Sequence, residues 1–206
     1  MAKLIVLAFV SALLAACVSG VPADFYDCPN PQRTPDVIIA ACTRLIDSGM
    51  RDKSDLAATY NNRAIAYSKK GQYDQAIADF DMAIRLKPDD GLGYINRGVA
   101  YERKGQYDRA IADYSEAIRL KPDFVDAYYN RGNAYESKGQ YDRAIADYDQ
   151  AIRLKPDYAF AYFNRGLAYE NKGGKDRAIA DYRKALALNP NFQEPRDALK
   201  RLGAAP

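Results

Sequence analysis

The feature that most limits what this chain can become is a spacing of 34 residues that repeats along it. Gly71, Gly105, Gly139 and Gly173 recur at that interval, and so do Pro88, Pro122, Pro156 and Pro190. Asn62, Asn96, Asn130 and Asn164 do the same, each followed by arginine. Self-similarity at such a period means stacked copies of one small supersecondary unit rather than a single closed core. Four units follow, 57–90, 91–124, 125–158 and 159–192. In the middle two, 107–123 and 141–157 differ only at Ser115/Asp149 and Glu116/Gln150.

Each unit reads as two helices. In the first, Tyr60, Ala64 and Tyr67 fall on one face of a 3.6-residue helix. Gly71 is placed to end it as a left-handed C-cap. The second helix is expected over about 73–86, with Ala76, Ile77, Phe80, Ala83, Ile84 and Leu86 as its apolar face. Pro88 stops it, because the residue before a proline is pushed out of helical geometry and the proline has no N–H to donate. Gly98 and Ala110 let two helices approach closely, and Tyr101 and Tyr114 fill the space between.

These residues resemble the tetratricopeptide repeat (TPR) family. The second unit meets its pattern with Tyr94, Gly98, Tyr101, Gly105, Tyr107, Ala110, Tyr114, Ala117 and Pro122. The third does so with Tyr128, Gly132, Tyr135, Gly139, Tyr141, Ala144, Tyr148, Ala151 and Pro156. Two departures stand out. Ala64 replaces the usual glycine in the first unit, and Lys175 replaces the usual tyrosine in the fourth, after Gly173-Gly174, which predicts a looser turn there. The resemblance implies an all-α fold, a right-handed α-solenoid of four TPR helix pairs. Residues 24–56 would form an N-terminal cap holding a degenerate half-repeat at 36–48, with four extra residues in the turn around 49–55. Residues 193–206 would hold a C-terminal capping helix and tail.

The N-terminal stretch has another purpose. Lys3 precedes an uncharged, mostly apolar run over 4–16, the pattern of a secretory signal over 1–17. Such a run is too short to span a bilayer, which takes about 20 apolar residues. Leu14-Ala15-Ala16-Cys17 resembles a bacterial lipobox, which would make Cys17 the lipidated N-terminus. Cleavage after Ala23 is the competing reading. Either way the chain is expected in the periplasm, with any membrane attachment made only through the lipid. Cys28 and Cys42 then remain, and two cysteines in an exported chain are expected to pair as a disulfide.

Composition removes several chemistries. The absence of histidine excludes His bases, Ser-His or Cys-His nucleophiles and His-ligated metal. Three cysteines cannot make a four-thiolate site, so neither metal nor cofactor is expected. A net charge of +3, from 30 basic and 27 acidic residues, argues against nucleic acid as a partner. Asp113 and Glu116 are read as outer-face residues in solvated pairs with Arg109 and Arg119 rather than as catalytic carboxylates.

The resemblance implies that the first helices line a concave groove for a peptide or protein segment. Projected onto this sequence, that groove takes Asn61, Asn62 and Ile65, then Leu92, Ile95, Asn96 and Val99. It continues with Asp126, Tyr129, Asn130 and Asn133, then Phe160, Phe163, Asn164 and Leu167, with Glu102, Glu136 and Glu170 on one margin. Ile95, Tyr129 and Phe163 are candidate anchors, and the asparagines could pair with a peptide backbone. Because Asn96, Asn130 and Asn164 recur in every unit, they have a second reading as ties between neighbouring helices. A chaperone carboxylate clamp is rejected, because its lysines are missing. The expected function is a non-catalytic adaptor or scaffold in the bacterial envelope. A self-assembling repeat protein is the alternative, and an enzyme is a more distant third.

Overall fold

A computed structural model describes residues 23–50 and 52–205. The expected signal segment over 1–17, with Cys17, lies outside the described residues. Among those described, every regular element is an α-helix, and no helix is long and apolar enough to cross a membrane. The chain divides into two compact units between Asp89 and Asp90.

The first unit holds α1 (Asp24–Asp27), α2 (Pro35–Asp47), α3 (Lys53–Lys69) and α4 (Tyr73–Leu86). Pro35 opens α2, where a missing N–H costs nothing. The four extra residues expected in the following turn instead lengthen α3, which starts at Lys53. Asp52 explains this, since its carboxylate accepts from the backbone N–H groups of Ser54 and Asp55, both at 2.9 Å. Cys28 and Cys42 are disulfide-bonded and buried with Ile38, Ala41, Leu45 and Ala66.

The second unit stacks α5 (Gly91–Arg103), α6 (Tyr107–Leu120), α7 (Val125–Ser137), α8 (Tyr141–Leu154), α9 (Ala159–Asn171), α10 (Lys175–Leu188) and α11 (Gln193–Arg201). The pairs are closed by one turn geometry. At the end of α7, Gly139 has φ +70°. Its N–H bonds the Glu136 carbonyl at 2.8 Å, and the Gln140 N–H bonds the Tyr135 carbonyl at 2.9 Å, a Schellman arrangement. The turn after α9 repeats both bonds, through Gly173 to Glu170 and Gly174 to Tyr169, each 2.8 Å. The looser turn expected there is therefore not found. A cavity of about 480 Å³ lies beside Tyr169, Lys172, Gly174 and Lys175 at this turn.

The arginine after each repeated asparagine ties the two helices of its own pair. Arg97 binds Asp113 through Nη2 at 2.6 Å and Nε at 2.9 Å. Arg63–Asp79, Arg131–Asp147 and Arg165–Asp181 repeat the contact. Asp113 is only 5% exposed, which corrects its expected place among solvated outer-face charges. Of the outer pairs expected, Glu116–Arg119 forms on the surface, while Arg109 turns to Gln106.

The small residues have a geometric cause. A Cβ on Gly132 would lie 2.7 Å from Cε1 of Tyr148, whose hydroxyl is held 2.8 Å from Glu136 Oε2. Gly98–Tyr114–Glu102 and Gly166–Tyr182–Glu170 repeat this set. In the first unit all three positions change together, to Ala64, Phe80 and Ser68, with Ala64 and Phe80 both buried. Without the hydroxyl tether the ring can yield to a methyl. Gly132→Ala is therefore expected to cost about 1–3 kcal/mol as overpacking. Adding Tyr148→Phe and Glu136→Ser should recover part of that loss. Urea unfolding of the variants tests this, and strictly additive losses would refute the coupling.

Candidate functional site

The first helices α5, α7 and α9 share one face of the second unit. Three apolar side chains stand open on it: Leu92 is 55% exposed, Phe160 is 51% exposed, and Val99 is also exposed. They occupy two register positions, shared with Asp126 and with Asn133 and Leu167 respectively. Burial of such side chains by a partner is worth about 1.5–3 kcal/mol each when complete.

The expected anchors lie deeper. Ile95 is 7% exposed, inside a cluster with Ala110, Tyr114, Ala117, Ala127 and Ala134. It is a packing residue rather than an open anchor. Phe163 is half-buried, with its ring 5.7 Å from Tyr182 and 5.1 Å from Phe192. Tyr129 is half-buried between Tyr148 at 6.0 Å and Tyr158 at 4.9 Å. Burial raises the Tyr129 hydroxyl above its usual range and pushes that of Tyr158 up to about 12. Leu167 is half-buried against the cluster of Ala178, Tyr182, Ala198 and Leu199.

The asparagines divide. Asn164 donates through Nδ2 to the Tyr129 hydroxyl at 3.0 Å and to Asn133 Oδ1 at 2.9 Å, tying α9 to α7. One unit earlier, the places of Tyr129 and Asn133 are taken by Ile95 and Val99, neither of which has a side-chain acceptor. Asn130 accordingly makes no side-chain hydrogen bond among the described residues. Its amide is half-buried, next in sequence to Tyr129, and has two donors and an acceptor to offer. Asn96 is half-buried on α5, and Asn61, Asn62 and Ile65 are half-buried on α3 of the first unit.

The margin is acidic. Glu102 and Glu136 each accept a tyrosine hydroxyl, from Tyr114 at 2.9 Å and Tyr148 at 2.8 Å. Burial raises both carboxyls above their usual range. Burial acts the same way on Glu170, but hydrogen bonds from Arg201 and then Tyr182 outweigh it and hold that carboxyl low. The Arg201 contact was not foreseen from the sequence. The signal was present, since Arg201 stands one period after Leu167 and two after Asn133. Among the described residues no group of His, Cys, Asp and Glu is placed to hold a metal ion.

A family model described as TPR repeat matches 103–139 and 132–173, and one described as Tetratricopeptide repeat matches 57–90 and 159–192. The chain carries tetratricopeptide repeats. Among solved structures, MamA is similar at 29% identity with a TM-score of 0.70, over 78% of this chain and 91% of that one. YrrB, described as a TPR protein with an unusual peptide-binding site, shares the fold at 22% identity and TM-score 0.68, over 81% and 84%. A thermophilic TPR protein of Thermus thermophilus, TTC0263, does so at 22% and 0.63, over 82% and 90%. No curated protein matches the sequence. The all-helical fold matches that of TPR solenoid proteins, as the resemblance implied.

Proposed function

We propose that this TPR protein is a non-catalytic interaction module that binds a peptide or protein segment on the face formed by α5, α7 and α9. The observation that carries this reading is the unpaired Asn130 amide on a face where Leu92, Val99 and Phe160 stand open. Apolar anchors with a few directional polar groups are what a specific interface requires. YrrB, with its peptide-binding site, is a fold relative consistent with this use.

The module would work as an adaptor in the bacterial envelope. This rests on the signal-like run over 4–16, with processing at Cys17 as a lipoprotein or after Ala23, and on the Cys28–Cys42 pair. The test is affinity capture from envelope extract with the parent and Phe160→Asp side by side. Phe160 is the better probe than Phe163, because its ring is half in solvent and meets the core only edge-on, at Phe192 4.9 Å away. A protein retained by the parent and lost by a folded Phe160→Asp form is the expected result. Equal retention by both would refute binding on this face.

A further inference from the structure

At the C-terminal end of the second unit, a tyrosine-bound carboxylate carries an arginine that its copies in the two preceding repeats lack. Arg201, on α11, sets its guanidinium on Glu170: Nε to Oε1 at 3.1 Å, and Nη2 to Oε1 at 3.0 Å and to Oε2 at 2.9 Å. The same carboxylate accepts the Tyr182 hydroxyl at 2.6 Å. One period earlier, Glu136 and Tyr148 form the same pair, and the register position of Arg201 is Leu167. Two periods earlier, Glu102 and Tyr114 form it, and that position is Asn133. Neither Leu167 nor Asn133 can supply positive charge.

No cation pairs with Glu136 among the described residues. Arg97, Arg131 and Arg165 on the same helices are engaged elsewhere, by Asp113, Asp147 and Asp181. Lys138 and Lys172 at the turns are held by Asp108 and Asp142. Glu102 differs in having the Arg103 charge nearby, which offsets a small part of the rise that burial causes, so Glu136 is the stronger site. A carboxylate withdrawn from water without a counter-ion costs free energy, and a cation brought by a ligand relieves that cost.

We propose that the Glu136 carboxylate, and secondarily that of Glu102, receives the guanidinium of an arginine on the bound segment, as Glu170 receives Arg201. The inference rests on α5, α7 and α9 forming the binding face, and it adds the chemistry of the partner: an arginine-bearing segment whose apolar residues meet Leu92, Val99 and Phe160. A planar, two-pronged cation matches a carboxylate already fixed by a tyrosine hydroxyl, and lysine offers no such fork.

The test is selection of random dodecapeptides displayed on phage, run in parallel on the protein, on Phe160→Asp and on Glu136→Gln. Glutamine keeps an oxygen for the Tyr148 hydroxyl and removes a desolvated charge, so its unfolding midpoint should be unchanged or higher. Peptides enriched on the parent are expected to carry arginine at a fixed position. Replacing that arginine by citrulline should weaken binding about tenfold in fluorescence anisotropy, and Glu136→Gln should remove the difference. The citrulline arm tests the point without altering the protein. Peptides that depend on Phe160 but show no arginine preference, or keep it on Glu136→Gln, would overturn this inference and leave the binding face standing. If no peptide is enriched in a Phe160-dependent way, the binding face falls and the inference with it.

Discussion

Asp147→Ala is expected to lower the unfolding free energy by about 3 kcal/mol, because it strands a partly buried guanidinium. Asp147 is 5% exposed and accepts from Arg131 Nε at 2.7 Å and Nη2 at 2.8 Å. Arg131 lies between the rings of Tyr128 and Tyr135, 5.7 and 6.0 Å from their centroids. Once the carboxylate is gone, its one remaining side-chain hydrogen bond is to Ser115, at 2.9 Å. Removing both charges, as Arg131→Met with Asp147→Leu, should cost less than removing Asp147 alone. Asp149 is a built-in control. It also pairs with an arginine, Arg165, but its side chain is 47% exposed, and its replacement by alanine should cost under about 1 kcal/mol. Urea unfolding followed by circular dichroism measures all three. Equal losses at Asp147 and Asp149 would show that burial does not set the value of the pair.

Reducing the Cys28–Cys42 bond is expected to destabilise the first unit by about 3 kcal/mol in the chain-entropy account, since the cysteines are 14 residues apart. Both are buried, and they fasten the short α1 and the loop after it to α2. The loss should appear as a lower melting temperature for the first unit under reductant. Cys28→Ala with Cys42→Ala should reproduce it without reductant. In protein taken directly from cells, neither cysteine should react with a thiol label until reduced. Two reactive thiols would remove both the staple and an argument for export.

The helix pairs were legible because the signals that make them are local. A glycine free to adopt positive φ, a proline without an N–H and a period of apolar residues act through the backbone of their own segment. The lengthened α3 was missed, although Asp52 stood in the sequence as an N-cap. Alignment to the repeat placed the extra residues in the turn, and the cap drew them into the helix.

The sequence by itself determined the period, the two-helix unit, the positions of the turns and the set of side chains available to the first-helix face. Tertiary structure decided how deep each of them sits. Asp113 looked solvated because helical spacing displays neighbours on its own helix, while its partner Arg97 lies 16 residues earlier, across a turn. Ile95, Tyr129 and Phe163 share one register position, yet Ile95 is closed over and the two larger rings reach partway out. The identical carboxylates Glu136 and Glu170 differ in the same way, since only the second has Arg201 upon it. Depth and pairing depend on the volume and charge that the next helix brings, and no single segment encodes them.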